Sequence, residues 1–216
     1  MTTATPGRLA SPGNKLRGWA GRALMAATSG LLLGVLTNLA QGWLPGAWNQ
    51  IANSGAIWCA VALAAGALSY QRDSSAQAAI IGLGAEAGLV AGYYGYAEFG
   101  RGSAGNLFYP LIWFGLAVVA GPLFGVAGHW WRRSGDARRR VAGLAAFAGL
   151  FGMEGLVYAW NLHYGPQAWT CLALFIVAPL LMARTGKERA LTLGAAMPCA
   201  LLAYALIELP LQAVSA

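Results

Sequence analysis

The sequence predicts an all-α protein: a polytopic transmembrane bundle of seven helices with its N-terminus in the cytoplasm. Two observations support this fold class. The 216-residue chain is 58% hydrophobic and 10% charged, whereas a typical soluble domain carries about 25% charged residues. All but one of its fourteen Lys and Arg residues lie in alternate gaps between long apolar runs, and such basic gaps stay on the cytoplasmic side of a membrane.

The apolar runs define the predicted helices in chain order. They span residues 23–41, 54–70, 76–96, 107–131, 141–160, 168–183 and 190–211. About 20 apolar residues cross a hydrocarbon core about 30 Å thick, so the short second and sixth runs suggest a tilt or a locally thinner bilayer. Residues 1–22 are rich in Thr, Gly, Pro and Arg and predict a disordered basic cytoplasmic tail. Residues 23–216 then form a single transmembrane helical domain.

The basic residues orient these helices. Those predicted inside are Arg8, Lys15, Arg17, Arg22, Arg72, Arg132, Arg133, Arg138, Arg139, Arg140, Arg184, Lys187 and Arg189. Arg101 alone falls in an outer gap, where we interpret Glu98 as its surface partner. Because the basic residues cluster beside the membrane, the net charge of +7 indicates contact with anionic lipid headgroups and not with nucleic acid.

Small residues at four-residue spacing predict close packing between helices of this chain, in preference to a dimer interface. The pairs are Gly30/Gly34, Gly84/Gly88, Gly88/Gly92 and Gly121/Gly125. Pro122, Pro179 and Pro198 fall inside predicted helices, where proline can kink the helix.

Two segments of the chain resemble each other. Residues 81–90 and 150–157 each place glycines around one glutamate, followed by Leu-Val and then by tyrosines. A parallel repeat of helix hairpins would explain this likeness, as in some transporters. The shared Ala- and Gly-rich composition of membrane helices would explain it equally well, so both interpretations stay open.

Three glutamates interrupt the apolar runs. A carboxylate in hydrocarbon is costly and usually faces a bundle interior or a water-filled cavity. At about 1.5 Å per residue, Glu86 lies near mid-bilayer at about 15 Å, Glu154 in the outer half at about 21 Å, and Glu208 near the outer surface at about 28 Å. We interpret Glu208 as interfacial. For Glu86 and Glu154, a functional role and a structural hydrogen bond both stay open.

A charge-free segment rich in amides and tryptophans links the first two runs. It contains Asn38, Gln41, Trp43, Trp48, Asn49, Gln50, Asn53 and Trp58. Amides pair donors with acceptors and indole rings offer flat apolar faces, which suits a small neutral polar ligand with an apolar side. The alternative is an aromatic belt with amides in an interfacial loop, although Asn38 should lie within the outer leaflet.

Recognisable catalytic and metal-binding patterns are missing from the sequence. Cys59, Cys171 and Cys199 are an odd set inside predicted helices, so they indicate apolar packing and neither a disulfide framework nor a metal site. His163 lies in an outer loop, with no HExxH, GxSxG or nucleotide-binding motif nearby. Unless His163 and Glu154 share an outer cavity, we expect no enzymatic activity, and we expect no cofactor.

The run Gly-Trp-Leu-Pro-Gly-Ala-Trp-Asn-Gln-Ile-Ala-Asn-Ser-Gly-Ala, within residues 38–58, resembles a family of small multispanning actinobacterial membrane proteins of unassigned function. The likeness extends through residues 86–94 and 151–158. It implies a multi-pass protein of the bacterial plasma membrane and no particular site residues. Residues 119–128, Val-Ala-Gly-Pro-Leu-Phe-Gly-Val-Ala-Gly, are more loosely similar to helices in the substrate-binding subunits of energy-coupling-factor vitamin transporters, which usually have six helices.

Together these features predict a small-molecule transporter, or the substrate-binding membrane subunit of one, with an outward-facing cavity. The candidate ligand-binding residues are Asn38, Gln41, Trp48, Asn49, Gln50, Asn53, Glu86 and Glu154. The alternative is a non-transporting scaffold or accessory protein that binds a larger membrane complex. Two glutamates lining one cavity would favour transport, whereas carboxylates sealed by hydroxyl or backbone donors would favour the structural role.

Overall fold

A computed structural model describes residues 12–46, 48–69, 74–102 and 106–215. These residues form helices and no strands. In chain order the helices are α1 (Pro12–Trp43), α2 (Trp48–Ala52), α3 (Gly55–Ala67), α4 (Ser75–Phe99), α5 (Phe108–Arg133), α6 (Ala137–Leu156), α7 (Gly165–Met182), α8 (Gly186–Ala203) and α9 (Leu209–Ser215). One π-helical turn, Val157–Asn161, extends α6, and another, Tyr204–Glu208, joins α8 to α9.

Seven helical segments among the described residues are long and apolar enough to cross a membrane. The predicted all-α bundle with seven spans is therefore confirmed. The second span is broken, because α2 ends at Ala52 and α3 begins at Gly55. α1 begins at Pro12, so the described part of the predicted N-terminal tail is helical, and residues 1–11 lie outside the described residues.

Polar side chains fix where several helices begin. Ser54, Ser74, Asp136 and Thr185 accept backbone N–H groups at the starts of α3, α4, α6 and α8. The first four N–H groups of a helix have no partner within it, so these N-caps satisfy donors that would otherwise be exposed to hydrocarbon or headgroups.

Glycines bring α1, α4 and α5 into close contact. A Cβ on Gly30 or Gly34 of α1 would overlap a backbone carbonyl of α4, and a Cβ on Gly88 or Gly92 of α4 would overlap one of α1. Gly121 and Gly125 of α5 meet the backbone of α4 in the same way. The predicted internal packing of these glycines is therefore confirmed, and it places α4 between α1 and α5.

The second half of the chain packs around α6. Phe147 of α6 contacts Phe124 of α5 at a centroid distance of 6.3 Å and Phe151 of α6 at 5.2 Å. Gly149 and Gly152 let α8 approach α6 closely. α4 packs on α5 and α6 packs on α7, whereas α1 packs chiefly on α4. The hairpin repeat stays a prediction.

A buried ion pair fastens the end of the bundle that carries most basic residues. Arg140 Nη2 lies 2.5 Å from Glu188 Oε1, and Arg140 Nη1 donates to the Ser134 carbonyl at 2.9 Å. Nearby, the Trp131 indole N–H donates to the Met182 carbonyl at 2.9 Å. These contacts join α5, α6, α7 and α8. We call this the inner end and the opposite one the outer end, after the orientation that the basic residues predict.

Candidate functional site

A cavity of about 280 Å³ lies between α3, α4, α5, the outer part of α6 and the C-terminal segment. Most of its wall is apolar or aromatic, and its polar members are few. They are Asn53, Ser54, Cys59, Glu86, Glu154, Tyr158 and Glu208, together with the indoles of Trp58 and Trp113. The cavity volume is close to the lower end of the range of small-molecule sites.

Glu154 of α6 lies at the start of α3. The Ser54 hydroxyl donates to Glu154 Oε2, and the Ala56 N–H donates to Oε1 at 2.9 Å. A helix N-terminus attracts anions because its first N–H groups point outward and the helix dipole is positive there. Glu154 therefore caps α3 from another helix, and both of its oxygens have a donor.

Glu86 of α4 lies deeper in the same cavity. At about 1.5 Å per residue it is about 20 Å along α4 from the outer end at Phe99. Its side chain is 4% exposed. The Cys59 thiol contacts Oε1 at 3.8 Å, and Oε2 has no hydrogen-bond partner among the described residues. A thiol is a weak donor, so the protein supplies this carboxyl group with few hydrogen-bond donors.

Aromatic rings form the wall beside these acids. The Trp58 and Trp113 rings are 5.2 Å apart and tilted by 51°, and Trp113 lies close to Gly55 at the start of α3. Trp58 is almost fully buried, and its indole N–H donates to the Ala52 carbonyl at 3.4 Å. The indole of Trp58 thereby bridges the break between α2 and α3.

Both π-helical turns border the cavity. Val157 and Tyr158 line it from the first turn, and Glu208 lines it from the second. Asn161 joins the two turns: its Nδ2 donates to Glu208 Oε1 at 3.2 Å, and its Oδ1 accepts from the Tyr204 hydroxyl at 3.2 Å. π-Helical turns within α-helices are rare and often lie at functional sites.

The cavity carries a one-signed charge distribution. Three of the described residues that line it are glutamates. No described residue in the lining is Lys, Arg or His. Charges interact more strongly where the surroundings are apolar than they do in water. An occupant that donates hydrogen bonds or carries positive charge is therefore favoured over an anion.

Three of the eight predicted ligand-binding residues line this cavity: Asn53, Glu86 and Glu154. The structure places Asn38 and Gln41 elsewhere, in the contact between α1 and α4. Asn38 is 2% exposed and its Nδ2 donates to the Tyr93 carbonyl at 3.1 Å. Gln41 Oε1 accepts from the Tyr93 hydroxyl at 2.5 Å.

Arg101 belongs to this α1–α4 contact as well. Its Nη2 donates to the Asn38 carbonyl oxygen at 2.7 Å, and among the described residues it makes no ion pair with Glu98. The prediction that Glu98 is the partner of Arg101 was wrong, because the guanidinium group reaches back over Gly42 to the end of α1.

The remaining three predicted residues, Trp48, Asn49 and Gln50, lie on the short helix α2. None of them lines the acidic cavity. Trp48 and Gln50 are exposed and Asn49 is half-buried. The amide-rich segment is thus divided among the α1–α4 contact, the outer surface and, at Asn53, the cavity.

Several cavity residues were not singled out by the sequence as part of a site. Cys59 was interpreted as packing, and Glu208 as interfacial. Trp113 and Tyr158 carry no sequence signal that distinguishes them from other aromatic residues of membrane helices. The one usable signal was the Asn53-Ser54-Gly55 sequence, in which a polar residue and a glycine precede an apolar run and so mark a helix N-terminus.

His163 does not join Glu154 in one cavity. It lines a separate crevice of about 490 Å³ with Trp160, Trp169 and glycines of α6 and α7. A third crevice of about 340 Å³ is lined mostly by apolar residues of α1, α3 and α4, together with Arg22, Ser29 and Ser69. The shared outer cavity of His163 and Glu154, on which the enzyme alternative depended, is therefore not found among the described residues.

Comparisons with known proteins give a family for this chain. A family model described as "Family of unknown function (DUF6518)" matches residues 13–213. The chain therefore belongs to this family, which confirms the predicted membership in a family of unassigned function. No curated protein and no solved structure matches the chain. The likeness of residues 119–128 to energy-coupling-factor subunits has no support in these comparisons.

Proposed function

We propose that this multi-pass membrane protein binds a small molecule in the cavity around Glu86 and Glu154. It acts as a transporter or as the substrate-binding membrane subunit of one, with the cavity facing outward. The observation that carries the proposal is that two intramembrane glutamates from different helices line one cavity. Buried ionisable groups in membrane helices are expensive, and they commonly mark substrate or ion pathways.

The helix breaks around the cavity support the same proposal. The second span is interrupted between α2 and α3, and π-helical turns interrupt the fifth and seventh spans, after α6 and between α8 and α9. Irregular backbone at membrane depth is tolerated where it is buried in protein or lines a cavity. Discontinuous helices also form the substrate sites of many secondary transporters.

Cys59 offers a direct test, because it lies in the cavity wall. With Cys171→Ala and Cys199→Ala it becomes the sole thiol of the chain. We expect a small, membrane-impermeant methanethiosulfonate reagent, added outside intact cells, to modify Cys59. The matched control keeps only Cys199, which packs between α6 and α8 and should stay unmodified. If Cys59 reacts only after unfolding, the cavity is not open to the outside and the proposal fails.

A scaffold or accessory role is the second candidate. It is favoured by Glu154, whose two oxygens already accept hydrogen bonds from Ser54 and Ala56, as a purely structural cap would. Crosslinking in native membranes followed by purification tests this role. A stoichiometric membrane-protein partner would support it, and a homogeneous chain without a partner would count against it.

The proposed setting is the bacterial plasma membrane, with the basic inner end in the cytoplasm. The juxtamembrane arginines near the loops after α5 and α7 support this orientation, since positive residues near membrane helices are retained inside. We propose a binding or transport protein and not an enzyme, because the sequence carries no recognised catalytic motif.

A further inference from the structure

Two acceptor atoms at the cavity lack partners. Glu86 Oε2 and Asn53 Oδ1 are buried and have no hydrogen-bond partner among the described residues, and both side chains line the cavity. A buried acceptor without a donor is costly, and a buried carboxyl group is especially so. The missing component is thus a hydrogen-bond donor, and for Glu86 it is best a positively charged one.

The residues of the cavity wall indicate which kind of molecule carries that donor. Trp58, Trp113, Phe124 and Met153 present apolar surface around the acids, and indole faces attract cations within about 6 Å. A divalent metal ion fits poorly, since it prefers a shell of several oxygens. The oxygens of Glu154, which also lines the cavity, are already occupied by donors at the start of α3.

We propose that the cavity binds a small organic cation, a protonated amine with an apolar body, and that Glu86 is its ion-pair partner. This inference rests on the proposed function and names its substrate class. The ammonium group donates to Glu86, and the apolar body packs between the indole wall and α6. A cavity of about 280 Å³ limits the occupant to a small molecule. This replaces the neutral polar ligand that the amide-rich segment suggested.

The test uses the full-length protein in lipid nanodiscs and three probes of similar shape: 2-phenylethylamine, 2-phenylethanol and phenylacetate. Binding is measured by calorimetry and by protection of Cys59 from the thiol reagent. We expect the amine to bind roughly tenfold or more tightly than the alcohol, because couplings measured between close charge pairs at interfaces correspond to about that factor or more. Phenylacetate should not bind.

The variant Glu86→Gln keeps the shape of the side chain and removes its charge. It should reduce amine affinity by roughly tenfold or more and leave alcohol affinity unchanged. The matched control is Glu98→Gln, which neutralises an exposed glutamate on the same helix outside the cavity and should bind like the wild type. Empty nanodiscs measure partitioning of the probes into lipid.

The outcomes separate this inference from the proposed function. Equal binding of amine and alcohol to the wild-type protein overturns the cation class, while the cavity remains a binding site. The same holds if Glu86→Gln keeps the preference for the amine. Should Glu86→Gln fail to fold, the wild-type preference and the Cys59 protection still decide. If 2-phenylethylamine does not protect a reactive Cys59, the inference fails, whereas an unreactive Cys59 defeats the proposed function itself.

Discussion

At the scale of single residues, Glu86 and Glu154 show how one residue type takes two roles. The sequence predicted that both are buried in the membrane, since each interrupts an apolar run. It could not predict which one would be satisfied. The partners of Glu154 are Ser54 and Ala56, which are far from it in the chain and meet it only after α3 and α6 pack. Glu86 does not meet the start of another helix in this way. Its carboxyl group therefore lacks comparable donors and faces the cavity.

The pairing of Glu154 with Ser54 predicts coupled effects on stability. Glu154→Ala and Ser54→Ala each remove a cap from α3, and each should lower the free energy of unfolding by about 1–2 kcal/mol. Because the two side chains share a hydrogen bond, the double variant should lose less than the sum. Denaturant titration in mixed micelles measures all three.

Glu208→Ala is the control for this cycle, because Glu208 also lines the cavity but bonds to the side chains of Asn161 and Gln212. The loss of unfolding free energy caused by Glu208→Ala should add to the loss caused by Ser54→Ala. Strict additivity between Ser54→Ala and Glu154→Ala would contradict the assigned cap.

At the scale of helices, the sequence predicted the spans well and their irregularities poorly. Spans follow from apolar length, which is a local property. The glycine spacing also carried real packing information, since Gly34 and Gly88 meet facing backbones. The π-helical turns were not predicted. Pro210 follows the second one and lacks an N–H, so it cannot donate to the carbonyl of residue 206, but the turn also depends on tertiary contacts such as Tyr204 with Asn161.

Two glycines of α4 allow a matched test of helix packing. Gly88→Ala places a Cβ against the Ala27 carbonyl of α1, whereas a Cβ on Gly95 meets nothing within 4 Å. Alanine favours a helix over glycine by up to about 1 kcal/mol, while overpacking costs about 1–3 kcal/mol. We therefore expect Gly88→Ala to lower the melting temperature and Gly95→Ala to leave it unchanged or raise it. Equal effects would mean that α1 does not pack on α4 in this register.

At the scale of the whole molecule, charge and cavity position fit together. Most of the described basic residues and the Arg140–Glu188 ion pair lie at the inner end, whereas the acidic cavity lies among the starts and ends of helices at the other. The sequence could predict this polarity because the Lys and Arg bias of short loops, which is read directly from the sequence, sets the orientation. It could not predict the cavity, which exists only where α3, α4, α5 and α6 converge, nor which of its amides would reach it.

The orientation that links the cavity to the outside is itself a prediction. Alkaline phosphatase fused after Leu162, in the loop between α6 and α7, should be active, because that loop is predicted outside. The same enzyme fused after Gly135, within the basic loop between α5 and α6, should be inactive, and a cytoplasmic reporter such as β-galactosidase should show the reverse. Basic residues near helix ends set these outcomes.

A charge variant decides whether those residues are the cause. Replacing Arg132, Arg133, Arg138 and Arg139 by Gln removes most positive charge from the α5–α6 loop and should let part of the population expose it outside. Arg101→Gln, which neutralises the sole base predicted outside, should leave the topology unchanged, since inside charges outnumber it so heavily. An active Gly135 fusion in the wild-type chain would show that the protein is inserted in the opposite orientation, with the cavity facing the cytoplasm.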